Sequence, residues 1–239
     1  QRLSRVYDKV DCFIAPSEYL CNIMRDAGVP AARIQHVPQL SPDSDDQGVP
    51  GAEETRMLDA LPPKFIAYVG RLSPEKGVAV LIDAARQIRT VHVVIAGDGP
   101  EAHALREKAR GLENVAFAGH LSRAATTRLI ARCVALAIPS LWAENAPMVV
   151  LEAARAGTPV IGSNSGGLRE LMERMAGRPV TPGNADELAR AIEEVWKNAA
   201  ERERAGSAWR LHRGAHETGA HVAAIESVYQ RAVTRVRAA

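Results

Sequence analysis

From Lys64 onward the chain alternates strand-like and helix-like segments about every 10 to 15 residues, and this rhythm constrains the fold more than any other feature. KFIAYVG, VHVVIAG, VAFAG, VALAIP, TPVIGS and RPVT read as strands. GVAVLIDAARQIR, PEAHALREKAR, SRAATTRLIARC, PMVVLEAARAG, GLRELMERM and ADELARAIEEVWKNA read as helices between and after them. The strands are continuous apolar runs, as required when helices cover both faces of a parallel sheet, so the expected class is a doubly wound α/β domain. Right-handed crossovers then gather every strand-to-helix loop on the carboxyl edge, where such sheets bind ligands.

The flanks read differently. VDCFIAPS is expected to be a short strand, with Ser17 capping a helix over EYLCNIMRDA that stops at Gly28, and RIQHVP a further strand. SPDSDDQGVPGAEET is acidic, rich in breakers and without apolar period, so it reads as a linker or mobile loop beside a domain boundary. The tail carries two helical patterns with no strand between them. In the last, Val222, Ile225, Val228, Tyr229 and Val233 share a face that needs an apolar surface. Residue 1 is Gln rather than Met, so the chain is expected to be a processed product or a piece of something longer.

Composition removes several classes of function. With 46% hydrophobic and 24% charged residues the chain is neither disordered nor fibrous, and a net charge of +2 gives no general reason to bind nucleic acid. Cys12, Cys21 and Cys133 lack the spacing of a zinc site or a disulfide framework, which fits a reducing cytoplasm. No apolar run approaches the roughly 18 residues of a membrane span. The seven histidines include no HExxH pattern, and GxSxG and GxxxxGK[ST] are absent. Asp43-Ser44-Asp45 looks like a DxD metal site, but within an acidic turn-rich loop it reads as solvated.

Three loops carry candidate chemistry. Gly70-Arg71-Leu72-Ser73-Pro74-Glu75-Lys76-Gly77 sets two cations before a helix start, a suitable anion cradle. Taken alone it favours the plainer reading, a solvated turn whose cations offset Glu75. Ser140 to Met148 precedes a helix bearing Glu152, with Pro147 placed at the first helical position. Glu144 and Glu152 beside an anion site make sense as acceptors for hydroxyls next to the phosphate, such as a vicinal diol. The competing reading makes Glu152 an ordinary first-turn acid. Gly97-Asp98-Gly99-Pro100-Glu101-Ala102 loosely fits a dinucleotide fingerprint, but the next strand ends in Gly119-His120 rather than an acid, against hydride transfer.

Taken in order, GRLSPEKG, GDGP, VAFAGHL, PSLWAENAPMVVLEAARAGTPVIGSNSGGLREL and TPGNADELARAI resemble the carboxyl-terminal donor-binding domain of family 4 (group 1) retaining glycosyltransferases of the GT-B fold. The resemblance runs from about Lys64 to Trp196, and VDCFIAPSEYLCNIMRDAGVPAARIQHVP resembles the last unit of the acceptor domain and the crossing out of it. Two departures stand out. Asn-Ala-Pro-Met follows the first Glu where many members have Gly-Phe-Gly, and the crossing reads VPQL where VPNG is usual.

The resemblance implies a Rossmann-like half enzyme: residues 1–40 a remnant of the acceptor domain, 41–63 a linker, 64–200 the donor domain, and 201–239 helices crossing back. It implies that Arg71 and Lys76 bind the donor diphosphate, that Glu144 contacts the transferred sugar and Glu152 the ribose, and that Asn145, Ala146, Pro147, Met148 and Val149 face sugar and phosphates. The base would sit near Gly97 and beside His120 and Leu121, with Gly70 a further donor-binding residue. The implied reaction is hexose transfer from a nucleotide diphosphate sugar, with UDP and GDP both open, to a hydroxyl of a glycan, lipid or small-molecule acceptor. Retention, no metal or other cofactor, no nucleic acid, and a cytoplasmic setting at the inner membrane face complete the expectation. The missing acceptor half would be an amino-terminal domain or a neighbouring chain. Two alternatives stay open: a sugar-nucleotide binding module without turnover, and a GT-B-fold sugar-nucleotide epimerase.

Overall fold

A computed structural model describes Tyr7, residues 9–41 and residues 48–238; Asp43-Ser44-Asp45 lies outside the described residues. The chain divides into two compact units, one holding the front to residue 42 together with residues from 213, the other holding residues 43–212.

The larger unit is built on a six-stranded parallel sheet: β3 (Ile66–Val69), β4 (Val93–Ala96), β5 (Val115–Gly119), β6 (Ala135–Ile138), β7 (Val160–Ser163) and β8 (Arg178–Val180). Its spatial order is β5-β4-β3-β6-β7-β8. Side chains alternate between two cores. Ile66, Tyr68, Val93, Ile95, Ala135 and Ala137 face one, with α3 (Val78–Gln87), α4 (Ala102–Lys108) and α8 (Ala185–Lys197). Phe65, Ala67, Val94, Ala96, Leu136 and Ile138 face the other, with α5 (Arg123–Arg132), α6 (Met148–Arg155) and α7 (Gly166–Arg174). A strand of period two with both faces buried has no polar alternation, which is why these strands read as unbroken apolar runs. Buried Asn114, just before β5, ties the turn after α3 by donating through Nδ2 to the carbonyls of Ala85 (3.0 Å) and Val91 (3.0 Å).

The expected linker over 41–63 contains a helix, α2 (Ala52–Asp59). Leu58 is its one buried residue, and its polar side chains are anchored elsewhere: Glu54 accepts from Ser122 N (2.7 Å) and Oγ (2.8 Å), and Asp59 pairs with Arg128 at 2.7 Å. Neither contact leaves a local periodicity. α9 (Ala200–His212) falls within the sheet-bearing unit.

In the smaller unit β1 (Phe13–Ala15) and β2 (Ile34–His36) pair in parallel, and Ser17 Oγ caps α1 (Glu18–Asp26) by accepting from Leu20 N at 3.2 Å. In α10 (Thr218–Ala238) the expected apolar face is only partly covered: Val228 is buried, while Val222, Tyr229 and Val233 are exposed. Val228 lies about 100° round the helix from Tyr229, so it meets the fold separately from the exposed stripe.

Candidate active site

The strand order reverses between β3 and β6. The chain leaves β3 towards β4 and β5 on one side, and β6 towards β7 and β8 on the other, so the carboxyl ends of β3 and β6 flank a switch-point crevice. The loops after these two strands are those holding Arg71 and Lys76, and Glu144.

The loop after β3 turns through a 3₁₀ segment (Pro74–Lys76), and Gly77, at φ 67°, hands over to α3 one residue later than the sequence suggests. A side chain at Gly77 would meet the Pro139 carbonyl oxygen at 2.0 Å, so glycine lets the two loops touch. Leu141 N donates to Glu75 O at 2.8 Å and joins them directly. Beside them, Gly97 brings the loop after β4 against the Gly70 carbonyl, where an added Cβ would lie 1.8 Å from the oxygen.

Across this junction Lys76 Nζ lies 2.6 Å from Glu144 Oε1. Ser140 Oγ donates to the same oxygen at 2.8 Å, and Lys76 Nζ stands 5.3 Å from the Trp142 ring centre. Burial alone would raise the Glu144 carboxyl, but hydrogen bonds from Lys76, Trp142 and Ser140, with the lysine charge, hold it below its ordinary value. Gly167 N donates to Glu144 O at 2.6 Å, fixing that backbone against the start of α7.

Arg71 is exposed, and its guanidinium forms no hydrogen bond or ion pair among the described residues. Its carbonyl is held by the buried Tyr68 hydroxyl at 2.8 Å, and burial, with the charges of Glu144 and Glu75, raises that phenol. Arg71 borders a cavity of about 360 Å³ lined by Val69, Gly70, Ala96, Gly97, Asp98, His120, Leu121 and Thr126. The volume is that of a small-ligand site.

Thus Gly70, Arg71, Gly97, His120 and Leu121 come together around the cavity, and Lys76 and Glu144 meet in the adjoining crevice. Asn145 and Ala146 continue the loop. Pro147, expected inside the helix, is instead its cap, and α6 begins at Met148, followed by Val149. Glu152 therefore lies beyond the first turn, contrary to the plain first-turn reading. It is half-buried, and burial raises its carboxyl despite the offsetting charge of Arg123. Tyr68 and Thr126 carry no sequence signal of their own, while Ser140, Asp98 and Gly167 lie in segments already singled out, and the part each plays depends on which loops meet. Trp142 sits in a loop already singled out, and its place beside Lys76 and Glu144 is what gives it a role.

Among the described residues no group of three His, Cys, Asp or Glu could hold a metal, and no helix is long and apolar enough to cross a membrane. Among the described residues Cys12, Cys21 and Cys133 form no disulfide.

The family model for glycosyl transferases group 1 matches residues 56–212. Glycogen synthase of Mycobacterium tuberculosis is 36% identical over 156 residues, covering 62% of this chain and 37% of that protein. Alpha-D-kanosaminyltransferase of Streptomyces kanamyceticus is 31% identical over 193 residues, 75% of this chain and 49% of its own. The chain thus spans less than half the length of either relative. Among solved structures, Anabaena Alr3699/HepE in complex with UDP and glucose matches with a TM-score of 0.76 at 25% identity, over 92% of this chain and 62% of that one.

Proposed function

The chain belongs to the group 1 glycosyltransferases, and from that premise we propose that it supplies the donor-binding half of a transferase. Its carboxyl edge takes a nucleotide diphosphate sugar, from which a hexose passes to a hydroxyl of a glycan, lipid or small-molecule acceptor with retention at the anomeric carbon and without a metal. The observation that carries this reading is the Lys76–Glu144 pair at the switch point, beside a cavity bordered by Arg71. UDP and glucose in the HepE complex support a nucleotide sugar as the ligand class.

The difficult event is departure of the nucleoside diphosphate, on which negative charge accumulates. Arg71 and Lys76 flank that position and stabilise the charge as it develops. The diphosphate lies across the β3 loop, the base enters the cavity by Gly97, His120 and Leu121, and Glu152 accepts from the ribose diol. Glu144, ionised and fixed on both its backbone and carboxylate, orients sugar hydroxyls and favours positive character at the anomeric carbon. The reaction takes place in a reducing, cytoplasmic setting, where thiols such as those of Cys12, Cys21 and Cys133 persist.

A second reading, a sugar-nucleotide binding module without turnover, draws on the same crevice and cavity, whose residues hold the donor. Nucleotide binding and donor hydrolysis measured on the same purified chain separate them. Binding with slow hydrolysis supports the transferase half, binding with no turnover the module, and no binding contradicts both.

A further inference from the structure

We infer that Trp142 is a positioning residue for Lys76, holding the ammonium where an arriving diphosphate meets it. This rests on the donor-binding reading above. Lys76 is a point charge on a flexible four-carbon stem, and left alone it samples many rotamers. Its one carboxylate partner, Glu144 at 2.6 Å, is also a competitor, because an ammonium fully engaged there is not available to a phosphate.

Trp142 answers both difficulties. Its ring lies 5.3 Å from Lys76 Nζ, within cation–π range, so the ammonium has a second attractive surface that offers no hydrogen-bond acceptor and does not compete with phosphate oxygens. Its indole N–H donates to the Glu144 carboxylate, alongside Ser140 Oγ at 2.8 Å. Those two donors satisfy lone pairs that would otherwise draw Lys76 more tightly. Loss of the ring therefore weakens diphosphate binding twice, by freeing the stem and by strengthening the Glu144 competitor. The indole is half exposed, at 51%, so packing alone gives no reason for an aromatic residue of this size.

The test is calorimetry of UDP, GDP and ADP against the whole chain, followed by the nucleotide that binds against Trp142→Leu, Trp142→Phe, Lys76→Ala and the Lys76→Ala/Trp142→Leu double variant. Trp142→Leu should weaken binding about 3- to 30-fold at an unchanged melting temperature. Trp142→Phe, which keeps a ring, should stay nearer to wild type. In the Lys76→Ala background the leucine should have no further effect, because its action runs through the ammonium. Unchanged affinity in Trp142→Leu, or an equal loss with and without Lys76, would overturn the inference alone. Failure of all three nucleotides to bind the wild-type chain would remove the donor reading, and this inference with it.

Discussion

Lys76 Nζ and Glu144 Oε1 lie 2.6 Å apart although 68 positions separate them in sequence, because β3 and β6 are neighbours at the point where the strand order reverses. The pair has side-chain exposures of 25% and 9%, so removing the cation leaves a mostly buried carboxylate. Lys76→Ala should cost about 1 to 3 kcal/mol. Lys76→Ala/Glu144→Gln should recover part of that loss, as a double-mutant cycle by chemical denaturation will measure. The Glu144 carboxyl titrates below its ordinary 4.5, so the folded state binds this proton more weakly than the unfolded chain. The stabilisation is therefore full above 4.5 and disappears as pH falls through the lower folded value, and the gap between wild type and Lys76→Ala should close there.

Glu152 titrates the other way. Burial raises its carboxyl, so its contribution is fully present below the ordinary value and is lost as pH rises through the folded one. Glu152→Gln should raise the melting temperature near pH 7 and leave it unchanged near pH 4. The same variant should weaken nucleotide-sugar binding roughly tenfold, since it withdraws a carboxyl acceptor from the ribose. Scanning calorimetry and a binding titration read the two effects separately.

Gly97 has φ 138° and no room for a Cβ, which would sit 1.8 Å from the Gly70 carbonyl oxygen. Gly97→Ala should cost more than about 3 kcal/mol and displace the β3 loop. Gly219→Ala, where nothing lies within 4 Å, should be neutral or stabilise α10 slightly. Comparable melting temperatures for the two variants would contradict the close approach at Gly97.

How much of this was legible depends on where the information sits. Strands β3 to β8 are apolar runs set by burial on both faces, and the Ser17 cap is local, so both are readable along the chain. α2 is not, because Glu54 and Asp59 find their partners on and beside α5, at Ser122 and Arg128. Pro147 fits the first helical position or the cap equally well by residue type, so residue type leaves the start of α6 uncertain by one residue, and the structure starts it at Met148. Arg71, Lys76, Glu144 and Glu152 stand in loops whose carboxyl-edge position follows from the alternation of elements. Ser140 and Tyr68 are ordinary residues until the neighbouring loop or carbonyl is known. The face expected on α10 merges two surfaces, one buried at Val228 and one exposed at Tyr229, that a simple apolar count does not separate.

The central claim is that the switch-point cations receive a nucleoside diphosphate, and Arg71 tests it most directly because its guanidinium is exposed and bonds to no other described residue. Isothermal titration of UDP, GDP and ADP into wild-type and Arg71→Ala protein should show one nucleotide binding the wild type and losing about 5- to 150-fold in the variant, with an unchanged melting temperature. Equal affinity in the two proteins, or no binding of any nucleotide to the wild type, would contradict the account.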